Sequence, residues 1–180
     1  HIVVQHLVET YRRSPDSLLE LPQRRSLRTA CLFADVSGFT KLSEALAERH
    51  GVRGCQYVAK KLNQYFALML RHISRHGGDA FKFAGDAVLV IWPQSDNLAK
   101  TVHSAVQCAM TLQNELHDVD LGDARLSVKI GIGVGDISVL LIGGHQNRRE
   151  YVAVGSPLKQ AFDCEHAASP GQTVVSKKAW

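Results

Sequence analysis

No CxxC cysteine pair and no HExxH signature occur in this sequence, and no apolar run approaches the roughly twenty residues of a membrane-spanning helix. The first two absences remove the common zinc patterns, and the third leaves no segment to read as a membrane span. Aromatic residues make up only 7%, and no run of lysines and arginines interleaves with them. With a formal charge of only +4, a nucleic-acid partner is not expected. The amino terminus lacks a signal-peptide pattern, and there are no low-complexity stretches or internal repeats. Cys31, Cys55, Cys108 and Cys164 lie far apart. Three of them fall in apolar stretches, as expected of reduced core thiols in a cytoplasmic protein. The nine histidines show no metal-ligand spacing and are expected at the surface or in the core.

What is present is an ordinary globular composition. A hydrophobic fraction of 45% over 180 residues suffices for one domain with its own core. A lead-in segment is expected over 1–27 and a single domain over 28–180. The start at HIVVQHLV and the end at SKKAW are read as the cut ends of a longer chain. Residues 29–36 form an apolar strand candidate, followed by a short helix marked by Leu42, Ala45 and Leu46. Val58, Leu62, Tyr65, Phe66, Met69 and Ile73 keep helical spacing up to Gly77-Gly78. Two short strands, 79–84 and 87–92, are joined tightly around Gly85-Asp86. A long amphipathic helix runs from Leu98 to Leu116. In LSVKIGIGV, the residues Leu126, Val128, Ile130, Ile132 and Val134 share one face, and Gly135-Asp136 reads as a hairpin turn into ISVLLI. EYVAV leads through Gly155-Ser156-Pro157 into a last helix, and QTVV is placed to close the sheet. This order predicts an α+β fold with a ferredoxin-like βαββαβ core, an extra hairpin and a C-terminal helix and strand.

Two acids interrupt the apolar strands. Asp35 ends one, and Asp86 sits in the turn of the hairpin expected beside it. Facing carboxylates repel unless a cation lies between them, and hard oxygen ligands suit Mg²⁺ or Mn²⁺. Gly85 lets the backbone turn without a side chain. Gly38 opens the approach to a helix starting near Phe39, whose free N–H groups favour phosphate. The spacing leaves a plainer assignment open, in which Asp35 caps the helix and Asp86 serves the turn. Lys82 alternates with Phe81 and Phe83, so it is expected to leave the face those aromatics bury, either free or paired with Asp79 or Asp86.

FADVSGFTKLSE together with GGDAFKFAGDAVLVIW resembles the catalytic domain of class III nucleotidyl cyclases. The likeness is greatest to the first cyclase domain of bicarbonate-responsive soluble adenylyl cyclases and their bacterial relatives. It runs from about residue 28 to 175 and continues through VKIGIGVGDISVLLIGG. The resemblance implies that Asp35, Asp86 and the Val36 carbonyl hold two Mg²⁺ or Mn²⁺ ions, with Ca²⁺ also compatible. It implies that the backbone of Val36, Ser37, Gly38, Phe39 and Thr40 cradles the triphosphate of ATP. Lys82 would read the adenine ring, because an ammonium donates to adenine N1, an acceptor, whereas guanine N1 is a donor. Family positions that contact the adenine amino group, orient the ribose through asparagine and stabilise the phosphates through arginine fall here on Val152, Lys159 and Asp163. The implied function is the metal-binding half of an adenylate cyclase site, completed by a second cyclase domain as partner. In the animal enzymes a lysine and an arginine hold bicarbonate. The lysine matches Lys82, but the arginine position is Phe162, which puts bicarbonate activation in doubt.

Two other assignments compete. One is a non-catalytic cyclase-like module that binds nucleotide or a partner domain. The other is a diguanylate cyclase of the GGDEF type, raised by HGGDAF at 76–81. Ala80 stands there in place of the second acid, and the acid after KFAG is left without a role.

Overall fold

Strand β1, Gln23–Ser37, forms the spine of the structure, a computed structural model that describes residues 8–9, 12, 22–51, 54–122, 124–143 and 148–180. The remaining residues, among them most of the expected lead-in segment, lie outside the described set, as does the Cys55 side chain. After β1 come α1 (Phe39–His50), α2 (Gly54–Arg75), β2 (Asp79–Ala84), β3 (Ala87–Pro93) and α3 (Leu98–Leu116). The chain continues with β4 (Val119–Asp120), β5 (Arg125–Gly143), β6 (Arg149–Val154), α4 (Ser156–Ala167) and β7 (Thr173–Val175). Asn97 starts α3 by accepting a 2.8 Å hydrogen bond from the Lys100 N–H.

The sheet runs β2-β3-β1-β5-β4, with β6 antiparallel and β7 parallel to parts of β5. The order β2-β3-β1-β5 is that of a ferredoxin-like core, and β6, α4 and β7 are the additions. Alternation along β1 divides the sheet into two apolar layers. Ala30, Leu32, Ala34 and Val36 join Val128, Ile130 and Ile132 beneath Leu42, Leu46, Met69, Ile73 and Leu112 of the first three helices. Cys31 faces the other way, with Leu89, Ile91, Ile137 and Val139, under Leu158 and Ala161 of α4. Each fully buried leucine or isoleucine contributes roughly 1.5–3 kcal/mol, so the larger first layer carries most of the stability. Cys31 and Cys108 are buried free thiols and Cys164 is a half-buried one. Burial pushes Cys31 up to about 11 and Cys108 up to about 12.

Two strand expectations need correction. The first strand is longer than 29–36, because β1 pairs with β5 over its whole length, from Gln23↔Leu141 to Ser37↔Ser127. Gly135-Asp136 is not a hairpin turn. The ladder passes straight through it, Thr29↔Gly135 and Arg28↔Asp136, and Arg28 Nε donates to Asp136 Oδ1 at 3.0 Å. A glycine before an acid imitates a turn locally; the long antiparallel partner overrides it.

Gly131 and Gly133 let α4 lie directly on β5. A Cβ at Gly131 would stand 2.0 Å from the Ala161 carbonyl oxygen, and one at Gly133 2.2 Å from that of Pro157. Gly131→Ala is therefore expected to destabilise the domain by about 2 kcal/mol, measurable by urea unfolding. An unchanged midpoint would show that α4 shifts without cost.

Candidate active site

The C-terminal end of β1 meets the start of β3. Asp35 pairs in register with Ala87, and the Val36 N–H donates to the Asp86 carbonyl at 3.3 Å. Ala84↔Ala87 closes the β2–β3 hairpin around Gly85-Asp86, with Gly85 at φ +65°. The turn thus brings the two acids together. Burial raises the Asp35 pKa, the charges of Asp86 and Glu165 raise it further, and Lys129 works against them.

Helix α1 begins where β1 stops. Its N-cap is Gly38, at φ +98°, where a Cβ would lie 2.4 Å from the Arg125 carbonyl oxygen. No side chain caps the helix and no acid occupies its first turn, so Asp35 is not a cap and that assignment is withdrawn. The first N–H groups remain available to an anion. Ser37, Gly38 and Thr40, with Lys41, Arg125 and Ser127, line a cleft of about 370 Å³ at this helix start. A larger cleft of about 450 Å³, between α3 and Trp180, includes none of these residues.

Lys129 and Glu165 were not anticipated. Lys129 is Asp35's register partner on β5, and its Nζ lies 3.5 Å from Asp35 Oδ2. The same ammonium is ion-paired with Glu165 Oε1. Glu165 is only 7% exposed and continues the buried α4 stripe of Leu158 and Ala161. Both left a trace in the sequence: Lys129 is the charge within an alternating strand, and Glu165 is an acid on an apolar helical stripe.

The structure revises the picture of Lys82. A register shift between Ala80 and Lys82 breaks the alternation, and Phe83 is 47% exposed while Phe81 packs against the second apolar layer, that of Cys31, Leu89 and Ile91. Lys82 Nζ donates to Glu150 Oε1 at 2.7 Å, so its partner is neither Asp79 nor Asp86. This bond holds the exposed Glu150 carboxyl below its usual range. On α4, Lys159 Nζ donates to Asp163 Oδ2 at 2.5 Å, one turn away on the exposed face. Phe162 stands edge-to-face against Phe33, ring centroids 4.4 Å apart. Val152 lies on β6 opposite Leu140.

A sequence profile of the adenylate and guanylate cyclase catalytic domain matches residues 22–180. The chain belongs to this family. Adenylate cyclase type 10 of Rattus norvegicus is 26% identical over 166 residues, covering 88% of this chain and 10% of the relative. An uncharacterised protein of Mycobacterium tuberculosis is 34% identical over 153 residues, covering 82% of this chain and 26% of its own length. The cyclase domain therefore spans a tenth to a quarter of these relatives. Among solved structures, the adenylyl cyclase CyaB from P. aeruginosa superposes with a TM-score of 0.72 at 24% identity, over 87% of this chain and 80% of the other. Guanylyl cyclase domains share the fold as well, so the fold alone does not choose the base. The resemblance read from FADVSGFTKLSE and GGDAFKFAGDAVLVIW is borne out, and the diguanylate assignment falls.

The raised Asp35 pKa has a stability consequence in this cyclase domain. The folded chain holds the Asp35 proton more tightly than the unfolded one, whose pKa is near the ordinary 3.8. Stability from this group is full below that pH and is lost as pH rises through the folded value. Without metal, Asp35→Asn is expected to raise Tm at pH 7 and to lose that advantage near pH 4. A lower Tm for the variant at pH 7 would mean that the Lys129 attraction outweighs burial and Asp86.

Proposed function

We propose that this domain serves an adenylate cyclase, converting ATP to 3′,5′-cyclic AMP and pyrophosphate, and that it supplies the metal-binding half of a site completed by a second cyclase domain. One observation carries this reading. Asp35 and Asp86 converge beside an uncapped helix start, while the α4 positions expected to finish the site hold Lys159 and Asp163. The donors fit Mg²⁺ or Mn²⁺: two carboxylates, one with its pKa raised by burial and by the neighbouring acids, and a backbone carbonyl at Val36. No group of three or more Asp, Glu, His or Cys side chains placed to hold a metal ion by themselves occurs among the described residues. That suits a hard cation completed by phosphate and water rather than a closed protein cage.

Asp35, Asp86 and the Val36 carbonyl would hold the ions. When bound, two such cations acidify the ribose 3′-hydroxyl and neutralise the triphosphate and the departing pyrophosphate. The backbone from Val36 to Thr40 would cradle the phosphates through the N–H groups left free at the α1 start, since the Val36 N–H is already taken by the Asp86 carbonyl. The 3′-oxygen, its proton passed to solvent, would attack the α-phosphorus as the bond to pyrophosphate breaks. Lys82 exchanges its exposed, solvent-screened contact with Glu150 for adenine N1, at little cost.

With a competent partner domain and Mn²⁺, the product is expected to be cyclic AMP, with GTP a poor substrate. Lys82→Glu should erode the preference for ATP where this lysine faces the competent site; an unchanged preference places Lys82 at the second, degenerate site of the pair. Efficient cyclic GMP formation by the unaltered chain contradicts the ATP assignment. A complete lack of turnover with every partner favours the regulatory, non-catalytic module instead.

A further inference from the structure

Lys129 lies between two carboxylates, and only one of them belongs to the proposed cation site. Glu165 is buried, and the Lys129 ammonium is its one charged contact among the described residues. It sits on α4, which the glycine contacts at Gly131 and Gly133 fix against β5. Asp35 is the more open of the pair, its side chain 29% exposed against 10% for Glu165, and it lies farther from the ammonium, at 3.5 Å. A divalent cation arriving at Asp35 repels Lys129, and a half-buried ammonium driven from one anion needs another seat. Glu165 already provides it.

We propose that Glu165 is a positioning residue of the cation site: it retains the Lys129 ammonium so that Asp35 is free to accept a divalent cation. This rests on the reading that Asp35 and Asp86 hold that cation. In its absence Lys129 is an internal competitor, because the whole of its charge falls on Asp35. Glu165 thereby sets the affinity of the cation site without contacting the cation.

The test is Mn²⁺ titration of the chain without nucleotide, with the free ion counted by electron paramagnetic resonance. Glu165→Gln is expected to weaken Mn²⁺ binding by about tenfold, and Lys129→Met to tighten it, as short-range charge removal dictates. In the Lys129→Met background the Glu165→Gln loss shrinks to about two- to threefold, since the competitor has gone. Circular dichroism establishes that each variant is folded. The double variant removes both charges together, so it is the safe comparison if a single variant unfolds, and near-native Mn²⁺ affinity is expected of it. Unchanged affinity in Glu165→Gln, or an equal loss in both backgrounds, overturns the proposal, as does a double variant whose affinity falls tenfold. If the unaltered chain shows no Mn²⁺ binding that Asp86→Ala removes, the two-acid reading fails and this proposal with it. Asp86-dependent binding that is indifferent to Glu165 overturns this proposal alone.

Discussion

Alone, the chain is expected to cyclise ATP at least about 100- to 1,000-fold more slowly than when mixed with a cyclase domain bringing asparagine and arginine, since even one preorganised donor aimed at developing charge is worth roughly that factor. A symmetric pair of these chains would set Asp35 and Asp86 of one copy against Lys159 and Asp163 of the other. Asp163 is not a bare negative charge, because Lys159 donates to it at 2.5 Å. Repulsion of the triphosphate is muted, and the deficit comes chiefly from missing donors: no amide for the ribose and no guanidinium for the phosphates. Robust turnover by the purified chain, lost on Asp35→Ala, would show that other groups replace them. Lys41 and Arg125, which line the cleft at the α1 start, are the first to test in that event.

Asp86→Ala is expected to remove the Mn²⁺ dependence of ATP-analogue binding, lowering affinity in Mn²⁺ by about 100-fold, given that even outer-shell partners of a metal cost about 10–100-fold. The substitution sits in a solvent-facing hairpin turn whose backbone bond to Val36 uses the carbonyl rather than the side chain. The fold should therefore survive, and any loss reports on the carboxylate. Binding of equal strength with Mn²⁺, Mg²⁺ and EDTA would return Asp86 to a turn role.

The parts of this protein dictated by local chemistry were legible in its sequence. The alternation of Leu126, Val128, Ile130, Ile132 and Val134 gave the buried face of β5, and all five are buried. The convergence of Asp35 and Asp86 followed from strand order and a two-residue turn. Features that depend on tertiary pairing were not legible. Gly135-Asp136 has a turn's composition, yet a fifteen-residue β1 holds it in the ladder. Lys82 could not be oriented from alternation, because a register shift lies immediately before it. Lys129 and Glu165 sit 36 residues apart in sequence, on a strand and a helix. Only the glycine-mediated contact between those elements brings their charges together beside Asp35.

One complementation assay tests the half-site directly. This chain is mixed with a partner cyclase domain whose own metal-binding acids have been replaced by alanine, and cyclic AMP formation is followed with Mn²⁺ and ATP. Turnover is expected, because the metals are held by Asp35 and Asp86 of this chain, and it should vanish when this chain carries Asp86→Ala. No turnover from the first mixture, with full turnover when the partner's acids are restored and this chain's Asp86 removed, would contradict the assignment of the metal half to this domain.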